Sequence, residues 1–307
     1  MFNSPLLFPV RLKDSKMVVL DETLLPFREQ YIEVEDLDKA LWVLGSMKTR
    51  AFGQVLLFFY SCCLFKNYSI GEIAEKFSKA RPTFDFSLLG DILESKKENG
   101  LSIETAVKGF IDSFDSLRRN RAKKLAGILS HPAKILTVCN VNGEMIYLYG
   151  ALKELGKDAV FYVSETRPYL QGTRLTFWEL RKNNIPAYLI CDNQAASLMK
   201  EGKVNCVVTG ADRASKRGGI VNKIGTYPLA VLAKYFNVPF YPLIQYPKNI
   251  DIRDIEIEER PGIEAFMFLE GDFSSIDAVY PSFDVVENKF ITGCIDLMCS
   301  ENEVERT

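Results

Sequence analysis

Histidine is nearly missing from this sequence: His131 is the only one in 307 residues. A Ser-His-Asp or Cys-His constellation would have to use that single side chain, so triad hydrolysis starts with low odds. The seven cysteines, Cys62, Cys63, Cys139, Cys191, Cys206, Cys294 and Cys299, are odd in number, irregularly spaced and contain no CxxC pair. That usage points to free thiols in a reducing compartment, and it makes a metal site improbable. Long hydrophobic runs are also lacking. The strongest, "VLLFFYSCCLF" (55–65), is too short to cross a bilayer as a helix. The N-terminus "MFNSPLLFPVRLKD" has neither the basic start nor the apolar core of a secretion signal, so the cytoplasm is the expected location. Neither charge sign dominates. A net charge of −2 gives no large basic footprint for nucleic acid and no charged tail. No GxxxxGK[ST] loop, internal repeat or low-complexity segment occurs.

What is present is an ordinary globular composition, 47% apolar and 25% charged, in a chain long enough for two domains. The first third starts with short β-like runs, "MVVLDETLLPF" and "QYIEVE". Helical spacing follows in "DLDKALWVLGSM", "GQVLLFFYSCCLF", "IGEIAEKFSKA" and "FDFSLLGDILESKKENG", and then in a long pattern from Ser102 to about Ser130. The character changes after His131. Five apolar runs, "AKILTVC", "DAVFYV", "PAYLIC", "VNCVVTG" and "PFYPLI", alternate with four helical patterns. That alternation predicts a parallel sheet covered on both faces. The expected fold class is α/β: a mainly helical N-terminal domain with a small β entry over residues 1–128, and a C-terminal sheet domain over 129–307.

In such sheets ligands sit beyond the carboxyl ends of the strands. Polar clusters fall at four consecutive strand ends: "CNVNG", "SETRPYLQG", "CDNQ" and "GADR". A polar small molecule is the expected ligand. Asp212 at the mouth of an apolar strand would lose hydration, which suits a general acid, although it could equally cap a helix or pair with Arg213. Cys139 ends a strand at the presumed ligand edge, with Asn140 beside it, whereas Cys206 and Cys62–Cys63 fit inert packing. In "GGIVNKIGTY" (218–227) glycines and Lys223 could approach an anion near a helix start. Arg167, Gln171 and Arg174 could bind hydroxyls or phosphate. Arg50 and Arg81 could add anion contacts from the N-terminal domain, or serve only as ion pairs.

Three strings go further. "ETRPYLQGTRLTFWEL", "GADR" and "NKIGTYPLAVLAKYFNVPFY" closely resemble the S-methyl-5-thioribose-1-phosphate isomerase family. That family also contains ribose-1,5-bisphosphate isomerases and the α, β and δ subunits of translation initiation factor 2B. The match is dense from about Lys134 to Tyr241 and extends to "VVLDETLLP", "ARPT", "IEIEER" and "YPSFDVVENKFITG". The resemblance implies a helical N-terminal part, a Rossmann-like C-terminal domain, and a homodimer through the latter. It implies no cofactor and no nucleic-acid or membrane partner. It implies Cys139 and Asp212 as catalytic residues, and Arg50, Arg81, Gln171, Asn222 and Lys223 as ligands of a sugar phosphate, with Asn140, Arg167 and Arg174 in support. The sugar would be a 5-substituted ribose 1-phosphate, above all 5-methylthioribose 1-phosphate, converted to its ribulose form as in methionine salvage. A ribose-1,5-bisphosphate isomerase or a non-catalytic, initiation-factor-like sugar-phosphate binder are the alternatives. This sequence departs from the family isomerases at Val138, where histidine is common, and in "VNGEMI", "TRAFGQ" and the basic, double-glycine "ASKRGGIVNKIGT".

Overall fold

The computed structural model of this chain describes residues 2–13, 16–82, 84–273, 275 and 277–297. They divide into two units: Asn3–Ser116, and a second that starts at Leu117 and takes in Phe2.

The first unit begins with an antiparallel sheet of order β1-β2-β3, built from β1 (Val10–Lys13), β2 (Lys16–Leu20) and β3 (Tyr31–Val34). The apolar run expected to carry a strand through Phe27 stops at Leu20. Asp21 turns the chain there by accepting from Thr23 N, which starts a 3-10 turn over Glu22–Leu24. Helices follow: α1 (Leu37–Gly45), α2 (Phe52–Leu64), α3 (Ile70–Ala80), α4 (Phe86–Glu98) and α5 (Ile103–Ile128). Asp36 caps α1 through Lys39 N at 2.7 Å, and Ser69 with Glu72 forms a capping box on α3. α2 is apolar on nearly every face, and it sits at the centre of this unit's core with Phe58 and Phe59 completely buried. The division between the units falls inside α5. The boundary expected near residue 128 is where that helix ends.

The second unit is a doubly covered parallel sheet. It contains β4 (Ala133–Thr137), α6 (Glu144–Glu154), β5 (Ala159–Ser164), α7 (Trp178–Lys182), β6 (Ala187–Ile190), α8 (Ala195–Lys200) and β7 (Cys206–Gly210). It continues through β8 (Arg213–Ala214), β9 (Ile220–Lys223), α9 (Thr226–Tyr235), β10 (Phe240–Ile244), β11 (Phe283–Val286) and β12 (Ile295–Asp296). The five anticipated strands are all present, and β12 adds a sixth beyond β10, giving the order β12-β10-β7-β4-β5-β6 with parallel pairing throughout. Successive residues of β4 feed opposite cores. Ile135 packs with Met145, Leu152 and Leu180 on one face, and Leu136 packs with Met199, Leu229 and Ala233 on the other. Burial on both faces is why these strands read as unbroken apolar runs.

Two local readings change. "NKIGTYPLAVLAKYFN", the last of the four helical patterns, does not start as a helix: Ile220–Lys223 is β9, in a separate three-stranded antiparallel sheet of order β11-β9-β8. The helix begins only at Thr226, after Gly225 at φ +99°. The helix expected over "TRLTFWELRKNN" opens with a π-helical turn, Gly172–Phe177, before α7. Such turns are concentrated at functional sites. No helix among the described residues is long and apolar enough to cross a membrane.

Candidate active site

From β4 the chain adds β5 and β6 towards one edge of the sheet, then returns to place β7 on the other side of β4, with β10 and β12 continuing outward. The reversal lies between β4 and β7, and in open α/β sheets the ligand crevice forms outside the strand ends at that point. Cys139 follows the last residue of β4 by two positions, and Asp212 follows the last residue of β7 by two. The two candidates for chemistry therefore flank the switch point.

Cys139 adopts a left-handed backbone, φ 64°, which is uncommon for a residue with a side chain. Side chains from the next connection hold it there. Its N–H donates to Thr166 Oγ1 at 2.8 Å, and its carbonyl accepts from Thr176 Oγ1 at 2.6 Å. Asn140 is fixed beside it: Nδ2 donates to Thr176 Oγ1 at 3.1 Å and to the fully buried Glu179 at 3.0 Å. The Cys139 thiol is outside any disulfide and half-buried.

Asp212 is anchored through its backbone, its N–H donating to Val221 O at 2.9 Å across the β8–β9 connection. Asp212 is exposed to solvent, yet the protein around its carboxylate is dense enough for desolvation to push its pKa up. The charges of Lys223 and Arg213 oppose that shift. Access together with desolvation is what a carboxylate in a crevice experiences, and it favours the protonated form a general acid needs. Lys223 also lies 4.3 Å from the ring centroid of Phe283. Asn222 is buried and donates from Nδ2 to Thr226 Oγ1 at 2.9 Å. A Cβ on Gly210 would lie 3.4 Å from Val141 Cγ1 and 3.7 Å from Asn222 Oδ1, so the chain after β4, the end of β7 and the end of β9 meet at one place.

Gln171 begins the helical segment that contains Thr176 and Glu179. It is 7% exposed, and its Oε1 has no hydrogen-bond partner among the described residues. A buried amide oxygen left unpaired is costly, so this atom is available for a donor from a ligand. Gly172 follows because nothing larger fits: a Cβ there would stand 1.8 Å from Ser164 O. Arg167 is engaged elsewhere, donating from Nη2 to Ala265 O at 2.8 Å, with its guanidinium 4.7 Å from the Phe268 ring centroid. Arg174 lies over Tyr169, 5.1 Å from the ring centroid. Arg50 and Arg81 belong to the Asn3–Ser116 unit. Arg50 lies just before α2, where its N–H donates to Glu22 Oε1 at 3.1 Å, and Arg81 caps the C-terminus of α3.

The model of the initiation factor 2 subunit family matches residues 69–296. The chain belongs to that family. Among its relatives, the methylthioribose-1-phosphate isomerase of Petrotoga mobilis is 35% identical, with 92% of this chain and 91% of that protein covered. The methylthioribose-1-phosphate isomerase of Thermotoga maritima is 34% identical over the same shares. In three dimensions the chain is similar to 5-methylthioribose 1-phosphate isomerase from Pyrococcus horikoshii OT3, with TM-score 0.80 and 23% identity over 96% of this chain and 93% of that one. It is also similar to the δ subunit of translation initiation factor eIF-2B from A. fulgidus, with TM-score 0.79 and 25% identity over 94% of each chain.

Within this initiation factor 2 subunit fold, several residues that organise the strand ends were not singled out from sequence. Thr166, Thr176 and Glu179 lie inside the "ETRP…WEL" string, and Asp192 lies in "CDNQ", but only the fold shows what they touch. Asp192 accepts from Thr166 N at 2.8 Å and from Arg167 N at 2.7 Å. Val138, the departure noted beside Cys139, is 1% exposed, and its Cγ2 is 3.7 Å from a Cβ position on Gly225. It packs into the core on the α8–α9 side of the sheet.

Proposed function

We propose that this chain is an aldose–ketose isomerase that converts 5-methylthioribose 1-phosphate to the corresponding ribulose 1-phosphate, the reaction used in methionine salvage. The observation that carries this reading is the placement of Cys139 and Asp212 at neighbouring strand ends on either side of the switch point. A protein that served only as an assembly subunit has no chemical use for that pair. The relatives that share 34–35% identity over nine-tenths of the chain carry the name of this activity.

The chemistry follows from the substrate. Phosphorylation of the anomeric oxygen prevents free opening to an aldehyde, so the enzyme must assist ring opening and then move hydrogen from C2 to C1. A protonated Asp212 supplies the proton to the ring oxygen or works at the C2 hydroxyl. Its desolvation shifts it towards the neutral form that this role needs. Cys139 acts at the carbon centre. Lys223 and Asn222 lie on the Asp212 side to hold the anion and a hydroxyl, and the unpaired Oε1 of Gln171 receives a sugar hydroxyl. The protein acts as a cytoplasmic homodimer joined through the second unit.

The test follows conversion of 5-methylthioribose 1-phosphate by NMR, with Cys139→Ser and Asp212→Asn beside the unmodified protein. Turnover abolished by both substitutions is the expected result. Turnover untouched by either would overturn the assignment. Turnover only on ribose 1,5-bisphosphate would change the sugar, and no turnover on any of these sugars would leave a binding protein.

A further inference from the structure

Cys139 occupies a conformation its own sequence does not favour. A left-handed backbone at a residue with a Cβ is strained and persists only where the surroundings impose it. The residue that meets the Cys139 N–H, Thr166, is itself left-handed at φ 64°. Two strained residues in adjacent connections, joined by a hydrogen bond, need a common anchor.

Asp192 provides it. This residue follows β6 and opens a 3-10 turn, Asp192–Gln194. Its Oδ1 accepts from Thr166 N at 2.8 Å and from Ser164 Oγ, and its Oδ2 accepts from Arg167 N at 2.7 Å. One carboxylate thus holds the last residue of β5 and two residues of the connection after it. The Thr166 hydroxyl has a single proton, which it donates to Ser164 O at 3.1 Å. A lone pair is therefore left facing the Cys139 N–H. Thr166 is 1% exposed and Ser164 is 2% exposed, so water does not substitute for these bonds. The connections after β6, β5 and β4 are linked in series, and the series ends on the backbone of Cys139.

We propose that Asp192 and Thr166 are positioning residues that hold Cys139, through its backbone, in the orientation its chemistry requires. This rests on the reading of Cys139 as a catalytic residue. It adds that the precision of the thiol is set two connections away. Hydrogen bonds that fix reacting groups to within a fraction of an ångström matter mainly to the reacting step and little to binding.

The test compares Thr166→Val, which keeps the shape and loses the acceptor, with Thr166→Ser, which keeps the acceptor. Asp192→Asn runs alongside, and each variant is first checked for an unchanged circular dichroism spectrum. On 5-methylthioribose 1-phosphate, Thr166→Val is expected to lower kcat about 10- to 100-fold with KM within about 3-fold. Thr166→Ser is expected to stay within about 3-fold of the unmodified protein in both. In parallel, peptide-resolved mass spectrometry follows alkylation of Cys139 by iodoacetamide in the substrate-free protein. That rate should change at least about 3-fold in Thr166→Val and Asp192→Asn and not in Thr166→Ser. Equal loss in Thr166→Ser and Thr166→Val, or an unchanged alkylation rate in Thr166→Val, would overturn the proposal. If the unmodified protein turns over no sugar, the isomerase reading falls by itself, and the alkylation comparison still decides whether Thr166 and Asp192 position Cys139.

Discussion

Asn140 Nδ2 lies 3.0 Å from an oxygen of Glu179, a carboxylate with no exposure to solvent. The contact joins the first residue after Cys139 to the first turn of α7. Replacing Glu179 with leucine leaves the half-buried Asn140 amide short of an acceptor. A loss of about 1–3 kcal/mol is expected in urea unfolding. Turnover should fall as well, because Asn140 and Cys139 share Thr176.

The electrostatics of Asp212 predict a pH profile. Burial raises its pKa, so the protonated form persists to higher pH than in an ordinary carboxyl group. If the acid form is required, kcat/KM falls as pH rises through that raised value. Lys223 holds the shift back, so Lys223→Met should move the fall to still higher pH. It should also raise KM if the lysine contacts phosphate. A profile of kcat/KM against pH checks both. An unchanged limb in Lys223→Met would remove Asp212 as its source.

Glu22 predicts a different dependence, in stability. Its side chain is 5% exposed, accepts from Thr49 Oγ1 at 2.6 Å, and has its pKa pushed by burial up to about 7 from 4.5. The folded protein therefore holds a proton that the unfolded chain has already lost between those values, and stability declines as pH rises from about 4.5 to about 7. Glu22→Gln has no such proton to lose. Its stability relative to the unmodified protein should increase across that window, by a few kcal/mol at most at about 1.4 kcal/mol per unit. Thermal or urea unfolding at pH 4.5 and pH 8 measures it, and equal differences at the two pH values would refute it.

Arg121 and Glu144 form an ion pair with 3% and 2% side-chain exposure, and Arg121 also donates to Ile244 O. Removing one member strands the other charge. Arg121→Met or Glu144→Leu alone should each cost about 3–5 kcal/mol. The double replacement should cost clearly less than the sum, read from a double-mutant cycle in urea.

Much of the second unit was legible because its strands are buried on both faces. Ile135 and Leu136 point to different cores, so "AKILTVC" could not be mistaken for an amphipathic element. The shorter strands were not legible. β8 and β12 have two residues each, too few for any period, and β9 exists only because it finds β11 on one side and β8 on the other. The candidate site was half readable. Gln171, Asn222 and Lys223 stand in strings whose resemblance marks them, and Cys139 and Asp212 stand at strand ends that periodicity locates. The work of Asp192 was invisible, because nothing in "CDNQ" tells that its carboxylate reaches back 26 residues to Thr166. The π-turn was hidden too, since nothing in the composition of "GTRLTF" separates a π-turn from an ordinary helical one.

The sheet is stitched unevenly across its middle. β4 and β5 are paired through five registered positions, Ala133 to Thr137, whereas β4 and β7 share only two, Ile135 with Cys206 and Leu136 with Val207. The strand ends bearing Cys139 and Asp212 thus belong to two blocks joined along a narrow seam. Chain order separates them as well: β4, β5 and β6 assemble from neighbouring segments, and β7 must return to a strand already placed. Non-local pairing of this kind is slow. With fewer bonds across that seam, amide deuteration should reach the β7 backbone facing β4 before it reaches the β5 backbone facing β4, so the two halves of the site can part before either strand block opens.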